Sequence, residues 1–212
     1  MAFVFSIINK FIFTPNISKV KIVQLPFICD KTYNNKDFSI NALEKAEYDN
    51  CTFSNCNFTN VYLANISFIE CNFIDCNFTG TKIKNTTFNN ITFKDCKLLG
   101  LPFYQCNPFL LSVSFNNCNL SLVQFNNLEL KHTTFNKCNL TEADFTNTNL
   151  TKASFIDCDL TLAAFENTNL EHGDLRTSIN YSIDPEKNQL RNTKFSRSNI
   201  EGLLKKHNII IE

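Results

Sequence analysis

Residues 139–175 read NLTEADFTNTNLTKASFIDCDLTLAAFENTNLEHGDL, and every fifth position is apolar: Leu140, Phe145, Leu150, Phe155, Leu160, Phe165, Leu170 and Leu175. Two places before each stands a small or thiol side chain, Cys138, Ala143, Thr148, Ala153, Cys158, Ala163, Thr168 and Gly173. A period of five fits neither the helix at 3.6 nor the plain strand at 2. It fits a short extended segment followed by a bend. In extended chain, residues two apart face the same way, and the remaining residues of the unit turn a corner. Each unit is then one side of a coil. Its centre and the residue two before it point inward.

Working outward, the period starts weakly at Phe38, Leu43 and Tyr48 and is firm from Phe53 to Phe103. The cysteines set the number of sides. Cys56 to Cys76, Cys76 to Cys96, Cys118 to Cys138 and Cys138 to Cys158 are each 20 residues apart, which is four units. The coil is therefore expected to be four-sided, with equal positions stacked one level apart. Cys96 to Cys118 is 22 residues, so a two-residue slip is expected within 104–113, where Pro108 suits a bulge. With that slip, Cys56, Cys76, Cys96, Cys118, Cys138 and Cys158 form one inward ladder. From Phe115 the centres alternate ring and leucine, which makes Phe115, Phe125, Phe135, Phe145, Phe155 and Phe165 core residues on two opposite sides. Seven or so levels at about 4.8 Å give a rod about 35 Å long.

The 212 residues suit one domain with a continuous core. Net charge is zero, which argues against a polyelectrolyte that binds nucleic acid or an anionic membrane. Ten cysteines could suggest a disulfide scaffold, but nine fall at inward positions, where thiols act as small hydrophobes. Residues 1–30 read as an extension or cap, or as sequence ahead of the native start. A membrane contact is expected only if this extension anchors, since its apolar run is too short to span. Residues 31–200 read as the repeat, with an excursion at 176–189 marked by Asp184-Pro185. The tail at 201–212 reads as a short helix and a strand. Leu203, Leu204, Ile209, Ile210 and Ile211 there are either a private cap or a homodimer interface, because a bare solenoid end invites stacking.

No catalytic, cofactor-binding or metal-ligating set is expected. His132, His172 and His207 are scattered, ligands at short spacing are missing, and no glycine-rich phosphate loop occurs. The units ADFTN (143–147), TNLTK (148–152), ASFID (153–157) and CDLTL (158–162) resemble the A(D/N)LXX signature of pentapeptide repeat proteins. That resemblance implies an all-β, right-handed quadrilateral β-helix. The ending IDPEKNQL…EGLLKKHNIII is similar to quinolone-resistance (Qnr-type) members, in which a short helix and strand build a two-fold dimer. It implies a cytoplasmic, non-enzymatic protein that binds type II topoisomerases as a DNA mimic and confers quinolone or toxin protection. The alternative is a scaffold for an unrelated protein partner. A mimic needs negative charge; residues 111–175 carry a net −5, whereas 31–110 carry zero and 176–212 carry +3. The candidate partner surface is Glu129, Asp144, Asp157, Asp159, Glu166 and Asp174, which the register spreads over all four sides.

Overall fold

The computed structural model describes residues 25–210. The chain winds into a four-sided coil whose walls are parallel β. The first wall begins as a four-stranded sheet of β1 (Phe27–Cys29), β3 (Glu47–Asp49), β5 (Ser67–Ile69) and β7 (Thr87–Asn89). The second wall is a seven-stranded sheet of β2 (Thr32–Asn34), β4 (Thr52–Ser54), β6 (Asn72–Ile74), β8 (Ile91–Lys94), β9 (Val113–Asn116), β10 (Thr134–Asn136) and β11 (Ser154–Ile156). Bridges such as Asn57↔Asn77 build the third wall and bridges such as Gln124↔Asp144 the fourth. Register runs twenty residues per level, as in Phe53↔Phe73 and Phe135↔Phe155. It becomes 22 at the slip, where Phe93 pairs with Phe115.

Inward positions explain the composition. Rings on the second wall, from Tyr33 through Phe53, Phe73, Phe93, Phe115 and Phe135 to Phe155, stack with centroids 4.8–5.4 Å apart. Rings on neighbouring or opposite walls meet edge to face, as Phe53 and Phe58 do at 5.8 Å. Such pairs add about 0.5–1.5 kcal/mol beyond their burial. Below the slip three adjacent walls carry rings (Phe68, Phe73, Phe78). Above it the rings occupy the second and fourth walls (Phe115, Phe125) and leucines the others, as the alternation predicts.

The position two before each centre accepts thiol and hydroxyl for one reason. The hydroxyls of Thr81, Thr86, Thr148 and Thr168 each donate to the carbonyl of the centre one level below, at 2.7–2.9 Å. The Cys56, Cys76, Cys96, Cys118 and Cys158 thiols do the same at 3.3–3.4 Å. A buried polar group is tolerated when it is hydrogen-bonded, so Thr and Cys interchange here. All nine inward cysteines are buried and unpaired as thiols; Cys29 is exposed.

Corners explain the asparagines. The second residue after most centres has a left-handed backbone, and of the 27 non-glycine residues with positive φ among the described residues 14 are Asn. Asn tolerates this region because its short amide can satisfy the local backbone.

Three boundaries differ from expectation. The coil reaches back to Phe27, because Ile28 and Tyr33 serve as centres and Glu47 donates its N–H to Pro26; residues 1–24 lie outside the described residues, and any membrane contact of theirs with them. Residues 176–189 do not leave the coil. Ile179 bridges Asp159, Gln189 bridges Asn169, and Ser178, Tyr181 and Ile183 are buried in the bore. The tail forms 3-10 turns, Arg197–Leu203 and Lys205–His207, ended by Asn208 at φ 49°. Ile209 and Ile210 are not in a strand, and Ile211 lies outside the described residues. The slip is seated at 107–112: Asn107 donates to the Thr86 carbonyl, Ser112 to that of Phe88, and Leu110 turns with φ 57°.

Candidate interaction surface

What remains outward is two residues flanking each centre plus the corner. On the third wall the flanking pair is tied down. Asn57, Asn77, Asn119 and Asn139 each accept from the backbone N–H two residues on, at 3.0–3.1 Å. In three of these the partner hydroxyl, Thr79, Ser121 or Thr141, donates to the same oxygen at 2.7–2.8 Å. Side chains held this way present a neutral, ordered surface. The second wall presents a matching column before each centre: Thr32, Thr52, Asn72, Thr92, Ser114, Thr134 and Ser154.

The candidate acidic residues lie on all four walls, as the register has them, and form no single stripe. Glu129 lies on the first wall, Asp157 and Asp174 on the second, Asp159 on the third, and Asp144 and Glu166 on the fourth. Three of the six carry a cation: Glu129 pairs with Lys131 at 3.0 Å, Glu166 with Lys187 at 2.6 Å and Asp174 with Arg176 at 2.7 Å. Hydrogen bonding from Arg176 holds the Asp174 carboxyl below the usual carboxylate range. Asp144 and Asp159 accept from the N–H groups of Thr146 and Thr161, at 2.9 and 3.0 Å. These carboxylates serve their own coils.

The cysteine ladder and the six rings, Phe115 through Phe165, lie where the spacing puts them, each no more than 4% exposed. That is a core and offers no chemistry to solvent. Burial pushes the Cys71 and Cys106 thiols up to about 12, so they stay protonated. Among the described residues no group of three or more His, Cys, Asp or Glu is placed to hold a metal ion. Nor is any described helix long and apolar enough to cross a membrane.

The C-terminal residues divide between two roles. Gly202 lies over Tyr181, its carbonyl accepting from Ile183 N–H at 3.0 Å; a Cβ there would meet the ring at 2.4 Å. Leu203 packs on the core. Lys206 clamps the turn to Asp184 at 2.6 Å and Glu186 at 2.8 Å. Leu204 is half-buried, while Ile209 and Ile210 are exposed.

Sequence reading missed one feature. The slip raises Phe109 and Leu110 to 71% and 59% exposure, the one apolar projection midway along the first wall among the described residues. The signal was present in NPFLL, an apolar run beside a proline, but a register count registers only its length.

The family model for the pentapeptide repeat region matches residues 46–108 and 109–204. No curated protein matches the chain. Two trypsin-treated variants of QnrB1, described as a plasmid-mediated fluoroquinolone resistance protein, superpose with a TM-score of 0.58 at 17% identity. They cover 88% and 85% of this chain and 100% and 98% of theirs. Full-length QnrB1, also at 17% identity, covers 86% of this chain and 100% of its own with a TM-score of 0.37. At such identity the likeness is one of fold. The chain belongs to the pentapeptide repeat family.

Proposed function

We propose that this pentapeptide repeat chain is a non-enzymatic binding rod, which engages a protein partner along its walls and carries no chemistry of its own. The observation that supports this reading most is the third wall, where outward Asn, Ser and Thr side chains are fixed by their own backbone. Such a surface is pre-organised, so a partner that docks on it loses little side-chain entropy. The first partner to test is a type II topoisomerase in the cytoplasm, the target implied by the Qnr-like ending, with protection from quinolones or toxins as the outcome. Self-association through the tail belongs to the same reading, with Leu204, Ile209 and Ile210 as the described residues left for it.

Mimicry of DNA is the weaker part of this proposal. A mimic displaces phosphates from a basic track and its binding falls steeply with salt. Carboxylates spread over four walls, half of them ion-paired, favour instead a scaffold contact that salt weakens little. Gyrase supercoiling in the presence of a fluoroquinolone, with and without the purified protein, tests the partner. Restored supercoiling that persists when salt is raised supports a topoisomerase contact without mimicry. No restoration together with no pull-down of gyrase removes the topoisomerase and leaves the scaffold with an unrelated partner.

A further inference from the structure

The first wall has a charge pattern that the mixed composition hides. Four strand levels, β1, β3, β5 and β7, precede the slip, and four bridged levels, at Glu129, Asn149, Asn169 and Gln189, follow it. Acidic groups occupy the levels before: Asp30, Glu47, Asp49 and Glu70. Cations appear only after: Lys131, Lys152 and Arg191, with Lys131 already paired to Glu129. At the midpoint stand Phe109 and Leu110, 71% and 59% exposed.

We infer that the first wall is a self-complementary interface for a second copy of this chain, the two rods lying side by side and antiparallel. The pairing follows from symmetry. A two-fold axis across the wall at the slip places each level opposite the level equally far beyond the slip on the partner copy, with lateral positions retained. In an isologous contact a residue that meets another is itself met in return. Glu70, two levels before the slip, then faces Lys152, two levels after. Both are corner residues of the same column, with φ 51° and 60°. Asp30, four levels before, falls beside Arg191, four levels after. None of these four is in an ion pair among the described residues; Asp30 accepts only from the Asn50 amide at 2.7 Å. Phe109 and Leu110 meet their own symmetry mates at the centre, where interfaces concentrate their affinity. A single mismatch occurs three levels out, where Asp49 meets Glu171 with His172 beside it. Parallel rods, whose axis runs along the rod and reverses lateral position, would instead set Glu47 against the second copy's Asp49, which like-charge repulsion opposes.

The test is the mass in solution of the full chain by sedimentation equilibrium, in an I209D/I210D background so that the tail contributes no contact. The expected result is a particle of twice 24.4 kDa. Phe109→Asp is expected to raise the dimer Kd about 100-fold as a central hot spot, and Glu70→Lys about 10-fold. The swap E70K/K152E is expected to bring Kd back to within about threefold of the background, since each pair is restored with reversed sign. Far-UV circular dichroism confirms that each variant is folded. A 24.4 kDa particle at loadings on the order of 100 μM overturns the inference. So does a dimer indifferent to Phe109→Asp, or a swap that associates no better than Glu70→Lys alone.

Discussion

At the scale of the residue, the corner is the most demanding position in the unit. Its backbone is left-handed, a conformation that costs an ordinary L-residue about 1–2 kcal/mol. Asn is the common answer, yet Leu162 occupies one corner at φ 57° with 73% of its surface exposed. It gains little burial in return. Leu162→Gly is therefore expected to raise stability by about 1 kcal/mol, the steric penalty exceeding glycine's entropic cost, measured as a higher urea midpoint with unchanged m. A fall in the midpoint would show that the leucine makes a contact worth more than its strain. Corners were legible only as polarity: the sequence shows Asn at regular spacing, but its backbone reason needs φ.

At the scale of the element, the final 3-10 turns are held by the Lys206 clamp as well as by the seat of Gly202 on Tyr181 and the packing of Leu203. Hydrogen bonding from Lys206 holds the Asp184 carboxyl below its ordinary 3.8 and raises the Lys206 ammonium. A carboxyl depressed by folding contributes stability that is present above its unfolded pKa and lost as pH falls through the folded one. Asp174, depressed by Arg176, acts in the same sense on the coil beneath. As pH falls below the ordinary carboxyl value of 3.8, the turn is thus expected to open before the coils do. Hydrogen exchange should report it as faster exchange confined to 197–208. Asp184→Asn should show that fast exchange already at neutral pH and remove most of its pH dependence. Equal protection in wild type and Asp184→Asn would assign the turn to the Tyr181–Gly202 packing instead. This element was the least legible. Residues 201–206 carry a helical-looking pattern, but Asn208 and the close seat of Gly202 on Tyr181 shape it into short turns.

For the whole molecule, each level touches only its neighbours, and stability behaves as a sum of level and interface terms. Phe125, fully buried, stacks on Phe103 at 4.9 Å and on Phe145 at 5.4 Å, so its loss weakens two interfaces at once. Phe125→Ala is expected to cost about 3–5 kcal/mol. Because the chain is quasi-linear, it should also split one thermal transition into two, the levels below the slip melting apart from those above. Calorimetry with a single unbroken transition would show that the slip does not divide the rod. The repeat, its four sides and the slip were legible because period and cysteine spacing are properties of the inward positions, where packing restricts choice. A candidate surface was not, since the outward charges obey no period: Glu129 and Asp174 pair with cations two residues on in the same extended segment, whereas the Glu166–Lys187 pair joins residues whose adjacency depends on the wound coil.

One left-handed corner and two inward residues per unit leave two of every five positions without a duty to the shape. Positions that fill the bore and positions that meet a partner are thus disjoint sets. A lineage of such chains can drift in what it recognises while its silhouette stands still, which is how a protein 17% identical can trace the same path. The same separation makes the rod a blank for engineering: a library confined to the outward pair of the second and third walls would vary binding while leaving every buried ring, thiol and corner untouched.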